Sequence, residues 1–225
     1  MKFVKTAGLI LALLFVDIIA QTALLIPTAT EAPVYVQAIL TVFVSIVTFG
    51  LVLKVANAVT TKQSINMRWT FTWHNIITTI ERASALLMIM LGIGAVTQSV
   101  THMAKPSQNQ HLLNTMMSQS WLMYVIVFVL AVLIAPVIEE LIFRGVLMSV
   151  ITKRYYLDVI ISGLAFGFFH TTSDPSLVTT IPYIVLGVGL AIIYRRTNNL
   201  SASIATHMVY NGMVMLVQLL VLLLV

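Results

Sequence analysis

A chain of 225 residues that is 60% hydrophobic and only 8% charged, with mean hydropathy +1.02, excludes a soluble globular domain, in which about a quarter of residues are charged. The absence of cysteine excludes disulfides, a thiol nucleophile and a thiolate metal site. The formal charge of +5 is scattered over positions flanking apolar runs rather than massed on one segment, which excludes a nucleic-acid surface.

The apolar runs predict an all-α, polytopic transmembrane bundle of about seven spans, each near the roughly 20 residues that a bilayer core requires. The first is expected at about 6–27 and the second at about 34–56, joined by a turn between Pro27 and Pro33. Two lysines ahead of the first run resemble a signal peptide, but several further spans follow, so an uncleaved first helix is expected. A polar stretch at about 58–75 carries Trp69, Trp73 and His74 and reads as interfacial, with aromatic rings at headgroup depth. The third span is expected at about 76–98, followed by a polar connection, 99–120, facing outside. The fourth helix begins near Trp121 and extends toward Thr152, long enough to tilt, with Pro136 predicted to kink it and free backbone groups. The remaining spans are expected at about 156–172, 177–194 and 200–223, with Ser173-Asp174-Pro175 ending the first of these. No internal repeat is evident, so residues 1–225 form a single membrane domain.

Basic residues mark one side. Lys2, Lys5, Lys54, Lys62, Arg68, Lys153, Arg154, Arg195 and Arg196 fall on alternate connections, whereas the others hold only Lys105 with Glu31 and Asp174. This positive-inside bias predicts a cytoplasmic N-terminus in a multi-pass protein of a cell membrane, most simply a bacterial plasma membrane.

Three polar sites interrupt the apolar runs, at Glu139-Glu140 with Arg144, at His170, and at His207 with Asn211. Ionisable groups inside a membrane are costly and ask for a function. At 1.5 Å per residue, Glu139 lies roughly 20 Å along its helix from Lys153. His170 lies about as far from the start of its own helix, and His207 and Asn211 lie roughly 12–20 Å in from Arg196 to Asn199. Three helices thus place polar groups in one layer. Glu140 and Arg144, four apart with the acid first, share a face and should pair. Glu139 is turned away by about 100° and is the freer carboxylate, suited to general base work, with His170 able to share a water. His207 and Asn211, one turn apart, can both donate toward one developing negative oxygen. Gly163 and Gly167 should let another helix approach closely.

The pattern Glu-Glu-x-x-x-Arg at 139–144, Phe-x-x-x-His at 166–170 and His-x-x-x-Asn at 207–211 resembles the CPBP intramembrane proteases. That family includes the CAAX prenyl endopeptidases and the bacterial Abi, or bacteriocin-processing and immunity, proteins. The resemblance covers about 120–215, which it marks as the catalytic core. It implies that Glu139 and His170 activate water, that His207 and Asn211 form an oxyanion hole, and that Glu140 and Arg144 support them. A peptide or membrane-protein segment would be the substrate, presented from the lipid bilayer. The preferred mechanism needs no cofactor, although Glu139, His170 and His207 are chemically suited to a divalent metal such as zinc.

Other readings stay open. A non-catalytic immunity or binding protein could use the same scaffold, and a cation or proton transporter would also bury acids. Glu81-Arg82 and the Asp17–Gln21 pair, one turn apart, read as structural; His74, His102 and His111 read as solvated, and Phe166 as packing.

Overall fold

A computed structural model describes residues 2–101, 108–172 and 176–224, so Lys105, His102 and the expected Ser173-Asp174-Pro175 stop lie outside the described residues. Most of those described are helical, with a non-helical segment at 65–72 and no strand among them. Helix α1 spans Lys2–Leu25 and α2 Val34–Gln63, joined through a single 3-10 turn at Ile26–Ala29 that Pro27 opens. Helix α3 is Trp73–Thr101, α4 is Gln108–Gln119, and α5 runs Trp121–Val150. Then come α6 at Leu157–His170, α7 at Leu177–Thr197 and α8 at Leu200–Leu224.

Six of these, all but α4 and α6, are long and apolar enough to cross a membrane. The expected fifth span is the exception. It forms a helix of 14 residues, about 21 Å of rise, shorter than the roughly 30 Å hydrocarbon layer. The polar connection expected at 99–120 also differs, because its second half folds as α4 and packs on α5. Ser120 separates the two helices by taking extended geometry, and its hydroxyl accepts the Met123 N–H at 3.2 Å as an N-cap.

Burial runs opposite to that of a soluble bundle. The inward face of α2 is Thr41, Ser45, Thr48, Val52, Ala56 and Thr60, a stripe of small residues at three- and four-residue spacing. Its large side chains, among them Ile39, Phe43, Ile46 and Leu51, point outward and are exposed. With lipid as solvent no hydrophobic gain drives helices together, so contact comes from small residues that let backbones approach. Helices α6 and α7 show the extreme case. A Cβ on Gly167 would lie 2.9 Å from the Ile184 backbone nitrogen, and one on Gly163 would lie 3.0 Å from that of Val188. Gly187 returns the contact, since a Cβ there would lie 3.1 Å from the Gly163 Cα. The two sequence-predicted glycines therefore do bring another helix close, and it is α7.

One end of the bundle is tied by polar contacts. The segment after α2 is pinned to the α7–α8 turn: Asn66 donates to the Asn198 carbonyl at 2.7 Å, and Asn199 donates to the Arg68 carbonyl at 2.9 Å. Arg195, stacked 4.0 Å above the Tyr156 ring, ion-pairs with buried Asp158 and donates to the Lys153 carbonyl at 2.7 Å. These ties hold α5, α6, α7 and α8 in register at the edge from which the site depths were counted.

Because backbone atoms of α7 stand where a Cβ on α6 would go, Gly167→Ala should force the pair apart. Its thermal unfolding midpoint in detergent should fall, with a loss of about 1–3 kcal/mol from overpacking. Gly50→Ala, where nothing lies within 4 Å of the added carbon, should leave that midpoint unchanged or slightly raised.

Candidate active site

The geometry of α5 begins at Pro136. From Val129 to Ile134 the helix is π-wound, and the Ala135 N–H reaches back five residues to the Leu130 carbonyl. The next bond in that series would run from residue 136 to the Ala131 carbonyl, but proline has no N–H to give. The orphaned Ala131 oxygen instead accepts Asn211 Nδ2 at 2.7 Å. A proline on one helix has thus recruited an asparagine from another. Residues Ala135–Glu140 return to α-geometry, and a second π-wound stretch follows at Leu141–Leu147. Such local widenings concentrate at functional sites. The expected freeing of backbone groups near the glutamates is present, as a pair of π-turns flanking the proline.

The two glutamates diverge. Glu140 is wholly buried and accepts from Arg144 Nη1 at 2.8 Å and from His207 Nδ1 at 3.0 Å on one oxygen. Its other oxygen accepts the Ser203 hydroxyl at 2.5 Å. Arg144, equally buried, donates Nη2 to the Gly187 carbonyl at 2.7 Å and lies 4.7 Å from the Phe166 ring centroid. Four helices (α5, α6, α7 and α8) are thereby joined around one carboxylate. Leaving either charge alone in such surroundings would cost several kcal/mol, so the pair holds only as a complete network.

Glu139 faces the other way, as the spacing predicted. Its side chain is 14% exposed, and its two oxygens lie 3.5 Å from His170 Nε2 and 3.8 Å from His207 Nε2. Hydrogen-bond partners set the ring orientations. His170 Nδ1 lies 2.9 Å from the Phe166 carbonyl, which can only accept, so this nitrogen carries the proton and Nε2 is aimed at Glu139. The ring is also held between Phe166, 4.2 Å away, and Tyr183, stacked at 4.9 Å. His207 is fixed likewise, with Nδ1 given to Glu140 and Nε2 left toward Glu139. Glu139, His170, His207 and Asn211 all line one cavity of about 940 Å³.

A divalent metal was among the uses that the sequence admitted for Glu139, His170 and His207. Both imidazoles do have Nδ1 committed to an acceptor, as metal-binding histidines do. Yet among the described residues no three histidine or acidic side chains are grouped so as to hold an ion.

Several participants escaped the sequence reading. Ser203 stands one helical turn before His207, and that four-residue spacing was its visible signal. Phe166, read as packing, also supports Arg144 and accepts from His170. Asn211, read as an oxyanion donor, spends one N–H on Ala131 and retains a second. Asp17 and Gln21, read as structural, line the cavity, and so does His111 of α4, read as solvated. Depth could have flagged Asp17, since it lies roughly 22 Å along α1 from Lys2, in the layer computed for Glu139.

Comparison with known proteins falls on the same segment. Residues 120–213 match the family model described as type II CAAX prenyl endopeptidase, Rce1-like. Over 96 residues the chain is 25% identical to a Bacillus subtilis (strain 168) protein described as "Putative membrane peptidase YdiL". That stretch is 42% of this chain and 38% of the relative, so the likeness spans well under half of either. No solved structure matches the chain. Together with the six apolar helices, these likenesses make it a multi-pass membrane protein. The resemblance drawn from the three motifs therefore holds: over residues 120–213 the chain matches the Rce1-like, type II CAAX prenyl endopeptidase family.

Proposed function

We propose that this chain is an intramembrane endopeptidase that hydrolyses a peptide bond in a membrane-associated peptide or protein segment. The observation that carries the reading is Glu139, standing between two imidazole nitrogens at 3.5 and 3.8 Å on the wall of a cavity large enough for a peptide. Those separations exceed a direct hydrogen bond and leave the carboxylate free to engage a water.

In this mechanism Glu139 takes a proton from water while His170 steadies the water through Nε2. The hydroxide oxygen bonds to the peptide carbonyl carbon, and the carbonyl π-electrons move onto oxygen. His207 and the uncommitted Asn211 N–H donate to that oxygen. Since Nδ1 of His207 already donates, the ring must carry both protons to do so, and Glu140 supplies the counter-charge at 3.0 Å. When the C–N bond breaks, the proton held by Glu139 passes to the departing amine. Glu140, Arg144 and Ser203 position His207 and touch no reacting atom. The basic residues that cluster at one end of the bundle support a cytoplasmic N-terminus, and the whole chain, 1–225, is read as one membrane unit with its catalytic core at about 120–215.

The test is cleavage of quenched fluorescent membrane peptides by the purified chain. Glu139→Gln should lower turnover by about a thousandfold, the scale of a lost general base, with its unfolding midpoint unchanged. Turnover that survives this substitution removes the proposed base. Arg144→Gln should behave differently. It strands a buried carboxylate, so fold stability should drop by about 3–5 kcal/mol together with activity.

Orientation can be read separately, because the chain has no cysteine to remove. A membrane-impermeant maleimide applied to intact cells should label Glu31→Cys and spare Gln63→Cys until the membrane is permeabilised. The reverse pattern would invert the topology.

A further inference from the structure

Charge is balanced unevenly around the cavity. Glu140 is answered by Arg144, and Glu139 by two imidazoles. Glu139 shares the cavity wall with one other carboxylate among the described residues, that of Asp17 on α1. Gln21, one turn on, donates Nε2 to its Oδ2 at 2.8 Å. Its other oxygen is buried and has no hydrogen-bond partner, and among the described residues Asp17 forms no ion pair. A carboxylate held by a single neutral amide at membrane depth is poorly compensated. A cation brought onto the cavity side of that group would supply what the protein does not. Asp17 also lies within electrostatic range of Glu139 and His170, so such a cation would sit near the reacting bond.

We propose that Asp17, oriented by Gln21, is a specificity-determining residue that selects substrates carrying a lysine or arginine side chain close to the scissile peptide bond. This rests on the endopeptidase reading for its meaning in cleavage, but the recognition itself is a binding property. Asp17 belongs to the half of the chain that lies outside the family match, which begins at residue 120. The preference would therefore belong to this chain's own α1 and need not be shared by relatives of the matched segment.

The test uses a set of quenched fluorescent leucine–alanine peptides, each with one lysine at a different position, paired with norleucine at the same position. Binding and cleavage are measured separately on the full-length chain. The wild type should favour lysine at one or two adjacent positions by about tenfold, expressed in Kd and KM with kcat little changed. Asp17→Asn keeps the acceptor for Gln21 and removes the charge. It should collapse the lysine-to-norleucine ratio to about twofold or less, while norleucine peptides bind as before. Because the ratio is internal to each protein, a smaller folded fraction cancels. Lack of any lysine-dependent gain in binding, or a gain that persists in Asp17→Asn, overturns the proposal. A gain in binding without cleavage of any peptide would instead leave Asp17 as proposed and count against the endopeptidase.

Discussion

The buried carboxylate of Glu140 is the constraint on which the rest of the site depends. Isolated, it would be too costly to keep charged in an apolar interior, so its neighbours are compelled rather than incidental. Arg144 must face it, and Arg144 in turn must find the Gly187 carbonyl on α7. Ser203 and His207 on α8 complete its hydrogen bonds. Each of these demands fixes a helix, and the last fixes an imidazole. With Nδ1 of His207 committed to Glu140, the ring has only one free nitrogen, and that nitrogen faces Glu139. Two adjacent acids thus divide the work because a helix turns about 100° per residue. One builds the bundle. The other is left looking into the cavity with few obligations.

A second constraint is geometric. Bringing α7 near enough for its Gly187 carbonyl to meet Arg144 requires that α6 and α7 almost touch, and Gly163, Gly167 and Gly187 allow it. The helix that carries both acids departs from α-winding on either side of Pro136. The cost of the lost N–H is met by Asn211, whose amide reaches Ala131. This links proline, asparagine and the two glutamates into one arrangement: the same residue that mends the broken helix stands beside the cavity with a spare donor.

How much of this was legible beforehand follows from the periodicities involved. Helix existence and membrane character were plain, since long apolar runs have few other solutions. The pairing of Glu140 with Arg144 and the outlook of Glu139 came directly from spacing along one helix. The glycine approach was legible too, though not which helix would fill it. What failed was whatever depends on partners far apart in the chain. The shortness of α6 was missed although the charges that bound it, Lys153 and Arg154 before it and Asp174 after it, stand in the sequence. Helix α4 was hidden because a polar amphipathic segment reads as a loop when its apolar partner on α5 is unknown. Ser203 had the right spacing, yet a serine four residues from a histidine is common, and only Glu140 gives it meaning.

The matched segment and the cavity do not share boundaries, and this bears on how the protein is divided. The residues nearest the proposed reaction lie within 120–213, but Asp17, Gln21, Met90 and His111 line the same space from α1, α3 and α4. A carboxylate, an imidazole and their support demand sub-ångström placement, which the buried network around Glu140 imposes on α5, α6, α7 and α8. Helices α1 to α4 are under no such demand. Their inward faces need only be small or apolar enough to pack, as the stripe on α2 illustrates, so the wall they present to a substrate is free to differ from one chain to another. A polar group retained on such a wall is harder to explain by packing than one inside the network, and among the described residues of α1 to α4 Asp17 is the one carboxylate that lines the cavity. Fixed chemistry from the matched half, bounded by an unconstrained wall from the other, is the division of labour that this arrangement of helices imposes.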